Sequence, residues 1–381
     1  MTWQVRDLMS TKREFVNLAL QEGANRRELC RRFGITPKAG YALLKRFSIE
    51  GQAAFTERSK RPVNSPMRTP AAVQALVLAV RREHPAWGAR KICRRLQDLG
   101  HSDVPAASTV CDILRRNGLI SAEASAAGQA WQRFEHDYPN SLWQIDFKGH
   151  FETAAGRCNP LTLLDDHSRF NLAITVCRKT DTLTVKNQLQ SVFEKYGLPA
   201  RINSDNGAPW GSPSAPGHLS GLDIWFIRLG LRTSHSTPYH PQTNGKLERF
   251  HRSLKAEVLN GRTFDNLTQA QAALDCWRTV YNHQRPHEGI AMETPSQRYR
   301  MSSRPMPSAL TPIEYGEADQ VLIVGWNGFT VFKGHKLRLS SALHRLPVAF
   351  RADPEQDGCF DVFLSHHRFM RLDLADLTAS N

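Results

Sequence analysis

The hydrophobic pattern over residues 142–281 constrains the fold most, because it changes type along the chain. The segments SLWQIDFKGHFE, NPLTLLDDHSR and FNLAITVCRK have strand patterns and predict a three-strand meander over 142–178. Helical and strand patterns then follow: a helix from Thr182 to Tyr196, the strand ARINSD, a helix from Gly221 to Leu229, the strand RTSHS, and helices from Asn244 to Asn260 and from Thr268 to Tyr281. This order predicts a mixed α/β sheet, assigned to a domain of residues 136–300.

The segment before this sheet is helical and basic. Residues 1–56 contain three short helical patterns, with Gly34 in the turn before the third. Thr36 is a good N-cap for that third helix, and Pro37 suits its first position. The order of helix, glycine-containing turn and capped helix predicts a helix-turn-helix domain, whose second helix enters a DNA major groove.

The third helix of this domain has two different faces. Gly40, Leu44 and Phe47 lie on one face, whereas Lys38, Ala42 and Lys45 lie on the other with Tyr41 beside them. We expect Lys38, Tyr41 and Lys45 to contact bases or phosphates. The alternative is a solvated basic helix in a small bundle.

The segments that follow predict a second helical domain and two linkers. Residues 57–70 form a basic, proline-containing linker whose Lys and Arg residues suit it to lie along a phosphate backbone. Residues 71–121 predict a second helix-turn-helix domain, and residues 122–135 a linker. The predicted helices of this domain run from Ala71 to about Glu83, over WGARKICRRLQDLG, and from Ser108 to a stop at Gly118, with Val110, Ile113 and Leu114 on the apolar face.

The C-terminal part predicts an all-β domain. Residues 301–318 form a linker, and residues 319–381 predict a small β-barrel, with a sandwich as the alternative. Asn327-Gly328 lies between two apolar runs, which is the strongest short signal for a hairpin. The segment CFDVFLSHHRFMRLDL predicts a second strand pair, with His366-His367 in its turn.

The amino-acid composition limits the classes of partner and of cellular compartment that fit this protein. The 381 residues contain 50 Lys and Arg against 36 Asp and Glu, a net charge of +14, which favours a polyanionic partner such as nucleic acid. No long apolar run or signal-peptide core is present, which predicts a cytoplasmic protein without a membrane partner. The seven cysteines are scattered and form no CxxC pair, so the sequence suggests neither a disulfide framework nor a cysteine-rich zinc site.

Three acids occupy comparable places in the predicted sheet domain. Asp146 lies in the first strand, Asp205 ends the strand ARINSD, and Glu248 lies in the first turns of a helix. Phosphoryl transfer on DNA needs two divalent metals that clamp the attacking and leaving oxygens, and carboxylates suit Mg²⁺. The alternative for the segment SDNG, residues 204–207, is ordinary turn chemistry.

Helix periodicity places cations beside Glu248. Leu247, Leu254 and Val258 form one apolar stripe with Phe250 beside it, and Glu248 lies at the rim of this stripe. Arg252 and Lys255 follow at i+4 and i+7, on the same side as Glu248, and are candidates for contacts to DNA. The alternative is a surface ion pair between Glu248 and Arg252.

Five stretches in order resemble the integrase-core domain of DDE transposases over about residues 130–300. They are LWQIDFKG, LTLLDDHSR, INSDNG, YHPQTNGKLERFHRSLK and YNHQRPHEGIAMETPSQRY. Members include bacterial insertion-sequence transposases and, more distantly, retroviral integrases. The resemblance implies an RNase H-like fold in which Asp146, Asp205 and Glu248 bind two Mg²⁺ ions, with Mn²⁺ as a substitute. It also implies that Gln242 and Asn244 belong to a polar loop that touches DNA.

The function implied by this resemblance is transposition. The chain would bind terminal inverted repeats, cleave double-stranded DNA at the element ends and join the 3′-hydroxyl to target DNA, at least as a dimer. Two alternatives are a catalytically silent DNA-binding regulator and an RNase H-type nuclease. The sequence departs from the family pattern in two places. The spacing of 42 residues between Asp205 and Glu248, which includes GSPSAPGHLSG, is longer than in many integrase cores. The N-terminal part has helix-turn-helix units, whereas retroviral integrases carry a His/Cys zinc module there.

Other polar residues in these segments are further candidates beside the three acids. Asp165 and Asp166 are candidate metal ligands, but the favoured interpretation is that they end a strand, with Asp166 holding the turn through Ser168 or Arg169. His235 and His240 flank the loop before Glu248, and His240 is a candidate for substrate contact or for a structural role.

Overall fold

The chain forms two compact units in a computed structural model. The structure describes residues 8–56, 68–120, 135–212, 217, 219–235 and 245–379. The first unit covers Met1–Arg68 and the second covers Thr69–Asn381, so the second helical domain, the sheet domain and the C-terminal strands belong together. Within the described ranges no helix is long and apolar enough to cross a membrane.

The first unit contains the three predicted helices, with Gly34 at a φ of +65° in the turn before the third. Its helices are α1 (Leu8–Ala19), α2 (Arg26–Arg32) and α3 (Pro37–Glu50), followed by a 3₁₀ turn at Gly51–Phe55. The Thr36 hydroxyl accepts the Ala39 N–H at 3.3 Å, which confirms the predicted N-cap of α3. A Cβ atom on Gly40 would lie 2.5 Å from the Cys30 Sγ, so the close approach of α3 to α2 requires glycine there.

The second helical domain packs against the sheet domain. Its helices are α4 (Ala71–Glu83), α5 (Ala89–Asp98) and α6 (Ala107–Arg116). The predicted apolar face of α6 is buried, and Gly118 after it has a φ of +68°, as its predicted helix-stop role requires. The Arg95 guanidinium on α5 donates to the Gln284 side-chain oxygen at 3.0 Å, and Val280 packs against the core of this domain.

The central sheet is mixed, as predicted. Its strands are β1 (Trp143–Phe147), β2 (Phe151–Thr153), β3 (Gly156–Asp165), β4 (Asn171–Cys177), β5 (Arg201–Ser204) and β6 (Arg232–His235). Strand β3 pairs antiparallel with β1, β2 and β4, whereas β5 pairs parallel with both β1 and β6. The predicted meander therefore has a fourth, short strand, because the segment SLWQIDFKGHFE turns at Gly149 and re-enters the sheet as β2.

Helices cover the two faces of this sheet. They are α7 (Thr182–Tyr196), α8 (Gly221–Arg228), α9 (Gly245–Leu254), α10 (Leu267–His283) and the short α11 (Pro295–Arg298). Alternate residues of β3 divide between the faces: Leu161 and Leu163 pack with α7 and α8, whereas Leu164 packs with α9 and α10. The sheet is thus buried between two helical layers.

The predicted helix from Asn244 to Asn260 changes geometry before its end. The α-helical part stops at Leu254, and Lys255–Leu259 form a π-helical turn. The wider turn begins only at Lys255, so it changes the rotation per residue beyond Lys255 and leaves the predicted i+7 placement of Lys255 from Glu248 in force.

The C-terminal strands form two sheets. The strands are β7 (Gln320–Ile323), β8 (Phe329–Phe332), β9 (His335–Arg338), β10 (Pro347–Ala352), β11 (Cys359–Leu364) and β12 (His367–Asp373), followed by α12 (Leu374–Ala379). One sheet has the order β12-β11-β10-β7, and the other contains β8 and β9. The β11–β12 pair confirms the predicted second hairpin, but the pairing defines sheets and does not establish a barrel.

The hairpin predicted at Asn327-Gly328 is wrong. Strand β7 pairs with β10, and β8 pairs with β9, so the strands on either side of this dipeptide are not partners. Gly328 does adopt a φ of +77°, but it packs so closely on the backbone of Ser340 and Ser341 that a Cβ atom would clash. Residues 327–328 therefore form a turn as predicted, but the strands on either side of it belong to different sheets because of long-range packing.

Candidate catalytic site

Two of the three candidate acids lie at matching ends of parallel strands. In the β1–β5 pair, Gln144 is opposite Asn203. Counting two residues onward along each strand places Asp146 and Asp205 side by side at the carboxyl end of the sheet. Asp146 is the fourth residue of β1, and Asp205 follows β5 directly.

Glu248 reaches the same region from the first turn of α9. Leu247, Phe250 and Leu254 are buried against the sheet and fix this helix, while Glu248 itself is exposed. The structure describes no ion pair between Glu248 and Arg252, both of whose positions it covers. The predicted alternative of a surface ion pair on this helix is thus not formed.

The three carboxylates act on one another electrostatically. Burial, together with the charges of Asp205 and Glu248, raises the pKa of Asp146 to about 7 against the opposing effect of Lys148. Such mutual repulsion is what a bound cation relieves. Over the described ranges, however, no three His, Cys, Asp or Glu side chains are grouped closely enough to hold a metal ion as they stand.

Sequence reasoning missed a hydrogen-bonded link between Asp146 and α9. The Thr162 hydroxyl donates to the Asp146 carbonyl at 2.9 Å and lies 2.7 Å from the His251 Nε2. Burial and the charge of Lys148 lower the pKa of His251 to about 3, so its ring is neutral at pH 7. Because the threonine proton goes to the carbonyl, His251 must donate from Nε2. Two positions point to this link. His251 follows Glu248 by three residues on the same helix, and Thr162 is opposite Asp146 in the β1–β3 pair.

A second missed link holds the strand end that carries Asp205. The His235 Nδ1 lies 3.1 Å from the Asp205 carbonyl oxygen, and the Nε2 lies 3.2 Å from a carboxylate oxygen of Asp223. Burial alone would lower the pKa of His235, but the hydrogen bond and charge of the buried Asp223 outweigh it and raise the pKa. Asp223 is fixed in turn by a capping box with Ser220 at the start of α8.

The roles predicted for Asp165 and Asp166 need correction. Asp165, rather than Asp166, holds the turn, since its carboxylate accepts from the Ser168 N–H at 2.8 Å and from the Ser168 hydroxyl. Asp166 pairs with Lys246, in the first turn of α9, and also with Arg169 at 3.9 Å, so the predicted contact with Arg169 is present. Asp166 therefore fixes the start of the helix that carries Glu248.

The candidate DNA-contact residues fall into three groups. Lys38, Tyr41 and Lys45 lie on the exposed side of α3, as the two-faced helix predicted. Arg252 and Lys255 are exposed near Glu248. Gln242 and Asn244, together with His240, lie outside the described residues.

Lys148 is a cation that sequence reasoning did not select. It follows β1, two residues after Asp146, and is partly buried. Burial lowers the pKa of Lys148, and the charge of Lys255 lowers it further, which places the two ammonium groups within electrostatic range beside Asp146. Lys148 therefore lies beside Asp146, and Lys255 lies within electrostatic range of Lys148.

Comparison with known proteins agrees with this architecture. Residues 136–241 and 229–295 each match a family model described as an integrase core domain. Residues 11–62 match a helix-turn-helix domain, and residues 39–114 match a homeodomain-like domain. Along the chain, the helix-turn-helix and homeodomain-like matches thus precede the two integrase-core matches.

Two of the relatives are proteins of bacterial insertion elements. The chain is 29% identical over 159 residues to the insertion element IS407 uncharacterized 31.7 kDa protein of Burkholderia multivorans, covering 42% of this chain and 55% of that protein. It is 26% identical to the insertion element IS476 uncharacterized 39.2 kDa protein of Xanthomonas euvesicatoria, covering 61% of this chain and 67% of that protein. The match thus spans little more than half of the first of these relatives.

A solved structure with a weaker likeness is the HTLV-2 integrase catalytic core domain in complex with magnesium. It is 16% identical, covers 43% of this chain and 98% of that one, and has a TM-score of 0.34. A TM-score of this size does not by itself establish a common fold.

Proposed function

We propose that this protein is the DNA transposase of an insertion element. It would bind the terminal inverted repeats, cut DNA at the element ends and join the freed 3′-hydroxyl to target DNA. The observation that carries the proposal is the placement of Asp146 and Asp205 at matching ends of parallel strands, with Glu248 near enough to affect the pKa of Asp146. The helix-turn-helix domains and the net charge of +14 support a DNA substrate.

The three carboxylates suit hard divalent cations, and the raised pKa of Asp146 reflects a local excess of negative charge as well as burial. Asp146, Asp205 and Glu248 would hold two Mg²⁺ ions, with Mn²⁺ as a substitute. The bound ions would supply stabilisation of the attacking and leaving oxygens. The residues around the acids would keep them in position, since Thr162 and His251 hold β1 at Asp146. His235 likewise holds the backbone at Asp205.

The proposed reaction has two chemically similar steps. Water attacks a phosphodiester at the element end and releases a 3′-hydroxyl, which then attacks a target phosphodiester by in-line displacement. Lys148, Arg252 and Lys255 would bind the DNA backbone beside the acids. Since two element ends must be joined to one target, the proposal includes at least a dimer on DNA.

The direct test uses DNA from both flanks of the gene. The purified protein is incubated with labelled flanks and an unlabelled plasmid, with Mg²⁺ or with EDTA. We expect Mg²⁺-dependent cuts at fixed positions that leave 3′-hydroxyl ends, followed by joined products. Binding to the flanks without cleavage would point to a silent regulator, and cleavage confined to RNA–DNA hybrids would point to an RNase H-type nuclease.

The exposed cations of α3 give a prediction about end recognition. Lys38→Ala combined with Lys45→Ala should weaken binding to element ends by at least about tenfold, since each lysine offers one phosphate or base contact. Gel-shift titration of the full chain at fixed salt measures this effect. The pair Arg338→Ala and Arg345→Ala, exposed in the C-terminal domain, provides a charge-matched control. Equal losses in both pairs would mean that α3 has no special role.

Lys255 gives a prediction about docking beside the acids. Lys255→Ala should lower strand transfer roughly ten- to a hundredfold, on the order of 1.4 to 3 kcal/mol, because one phosphate contact is lost while the carboxylates stay. Activity should partly return at low salt. Lys195→Ala, at the exposed last turn of α7, is the matched control. Strand transfer within about twofold of wild type would mean that Lys255 is only a solvated cation.

A further inference from the structure

A basic cleft lies at the opposite end of the parallel strands from the three acids. Its volume is about 520 Å³, and its lining includes His136, Tyr138, Arg201, Arg232, Arg304 and His366, with Asp137 as the acidic member. Arg201 and Arg232 are the first residues of β5 and β6, whereas Asp205 follows the last residue of β5. None of the integrase-type chemistry described above uses this cleft.

The strand register forces two of these arginines together. Arg201 is opposite Arg232 in the parallel β5–β6 pair, so their side chains leave the same face of the sheet on strands about 4.8 Å apart. Like charges directly opposite each other are destabilising in a sheet. Within the described residues, neither guanidinium has an ion pair or a hydrogen bond to another group. An anion bound between them would relieve this repulsion.

The third arginine is fixed by the backbone around the cleft. The Arg304 guanidinium donates to the carbonyl oxygens of Pro199 at 2.8 Å and of Gly230 at 3.0 Å. These carbonyls belong to the segments that enter β5 and β6. Arg304 therefore supplies a cation in a set position, while Arg201 and Arg232 remain able to turn toward a ligand.

The rim of the cleft has features of a nucleic-acid surface. Tyr138 is a large aromatic side chain with 59% of its surface exposed. His366, in the turn between β11 and β12, lies with its Nε2 3.3 Å from the Leu231 carbonyl and brings the C-terminal domain to the cleft. The cluster of arginines in this cleft is the kind of basic patch that binds a phosphate backbone.

We propose that this cleft binds the phosphodiester backbone of the duplex that is engaged at the acids. The proposal rests on the proposed function. The four residues of β5 span about 13 Å between the two sites, which corresponds to roughly four phosphates along one DNA strand. Arg201 and Arg232 then each neutralise one phosphate, with Arg304 as the fixed neighbour. A duplex held at both places is oriented along β5.

The test measures how DNA binding depends on salt. The full chain carrying Arg201→Ala and Arg232→Ala is titrated with a fluorescent random-sequence duplex of about 30 base pairs over a salt series. We expect affinity to fall about ten- to a hundredfold and the slope of log K against log salt to become smaller by about 1.8, since each lost phosphate contact contributes about 0.9. Arg201→Lys with Arg232→Lys keeps both charges and should retain the slope.

Matched measurements decide the interpretation. Arg338→Ala with Arg345→Ala removes two exposed charges elsewhere and should change the slope less. An unchanged slope in the cleft variant, or equal changes in both pairs, would overturn the proposal. If inorganic pyrophosphate raises the melting temperature of the wild type but not of the cleft variant while DNA binding is unaffected, the cleft takes a small anion and the DNA proposal is wrong. Failure of the transposase proposal is separate, because it appears as absence of Mg²⁺-dependent cleavage of the gene flanks by the wild-type protein, whatever the slope.

Discussion

Asp146→Asn, Asp205→Asn and Glu248→Gln are each expected to reduce DNA cleavage and strand transfer more than about a hundredfold. Each change removes one negative charge and one anionic ligand while keeping the size of the side chain. Loss of a ligand at a two-metal site should cost several kcal/mol of transition-state stabilisation. Binding to element ends should survive, because the helix-turn-helix domains are separate from the acids along the chain. Single-turnover cleavage and joining assays with Mg²⁺ measure both effects.

The control for these variants is an acid outside the site. Asp275→Asn, on the exposed side of α10, should leave cleavage within about twofold of wild type. Strand transfer above about a hundredth of wild type in any one of the three variants would remove that residue from the site. Loss of end binding in parallel with cleavage would instead point to a folding defect.

Glu257→Gln is expected to destabilise the second unit by about 3–5 kcal/mol, since it breaks a buried ion pair from one side. The Glu257 carboxylate accepts from the Arg285 Nε at 3.0 Å and from the Trp277 indole N–H at 2.8 Å. The side chains of Arg285 and Glu257 are only 8% and 9% exposed. Burial and the charge of Arg285 lower the pKa of the nearby Lys91 to about 8, so the loss of Glu257 would remove a negative charge that acts on both cations. Urea unfolding followed by tryptophan fluorescence measures the change.

A surface pair provides the comparison for this buried one. Arg368 and Asp361 lie 3.0 Å apart, but 56% of the Arg368 side chain is exposed. Arg368→Ala should change the free energy of unfolding by no more than about 1 kcal/mol. If Glu257→Gln is as mild as Arg368→Ala, then water reaches the Arg285 guanidinium and the pair is not a buried one.

Local patterns in the sequence predicted the elements around the site well. Thr36 caps α3, α7 runs from Thr182 to Tyr196 as expected, and β5 ends directly before Asp205. These features depend on capping chemistry and hydrophobic periodicity over a few residues, which a single sequence contains. The mixed sheet followed from the order of these elements.

The errors arose where distant parts of the chain decide local geometry. Asn327-Gly328 has the correct turn chemistry, yet β7 takes β10 as its partner, because pairing depends on packing across the whole domain. Asp165 and Asp166 are neighbours with the same side chain, and partners that are distant in sequence, such as Lys246 about eighty residues away, help to separate their roles. The links from His251 to Thr162 and from His235 to Asp223 also join segments that are distant or separated in sequence.

The contact between α5 and α10 has a geometric consequence for the proposed reaction. Because Arg95 binds Gln284 and Val280 packs into the second helical domain, that domain and the acids belong to one compact unit. A DNA segment gripped by α6 would therefore lie at a set number of base pairs from the bond that is cut. The fixed distance between α6 and the acids would therefore determine where the DNA is cleaved.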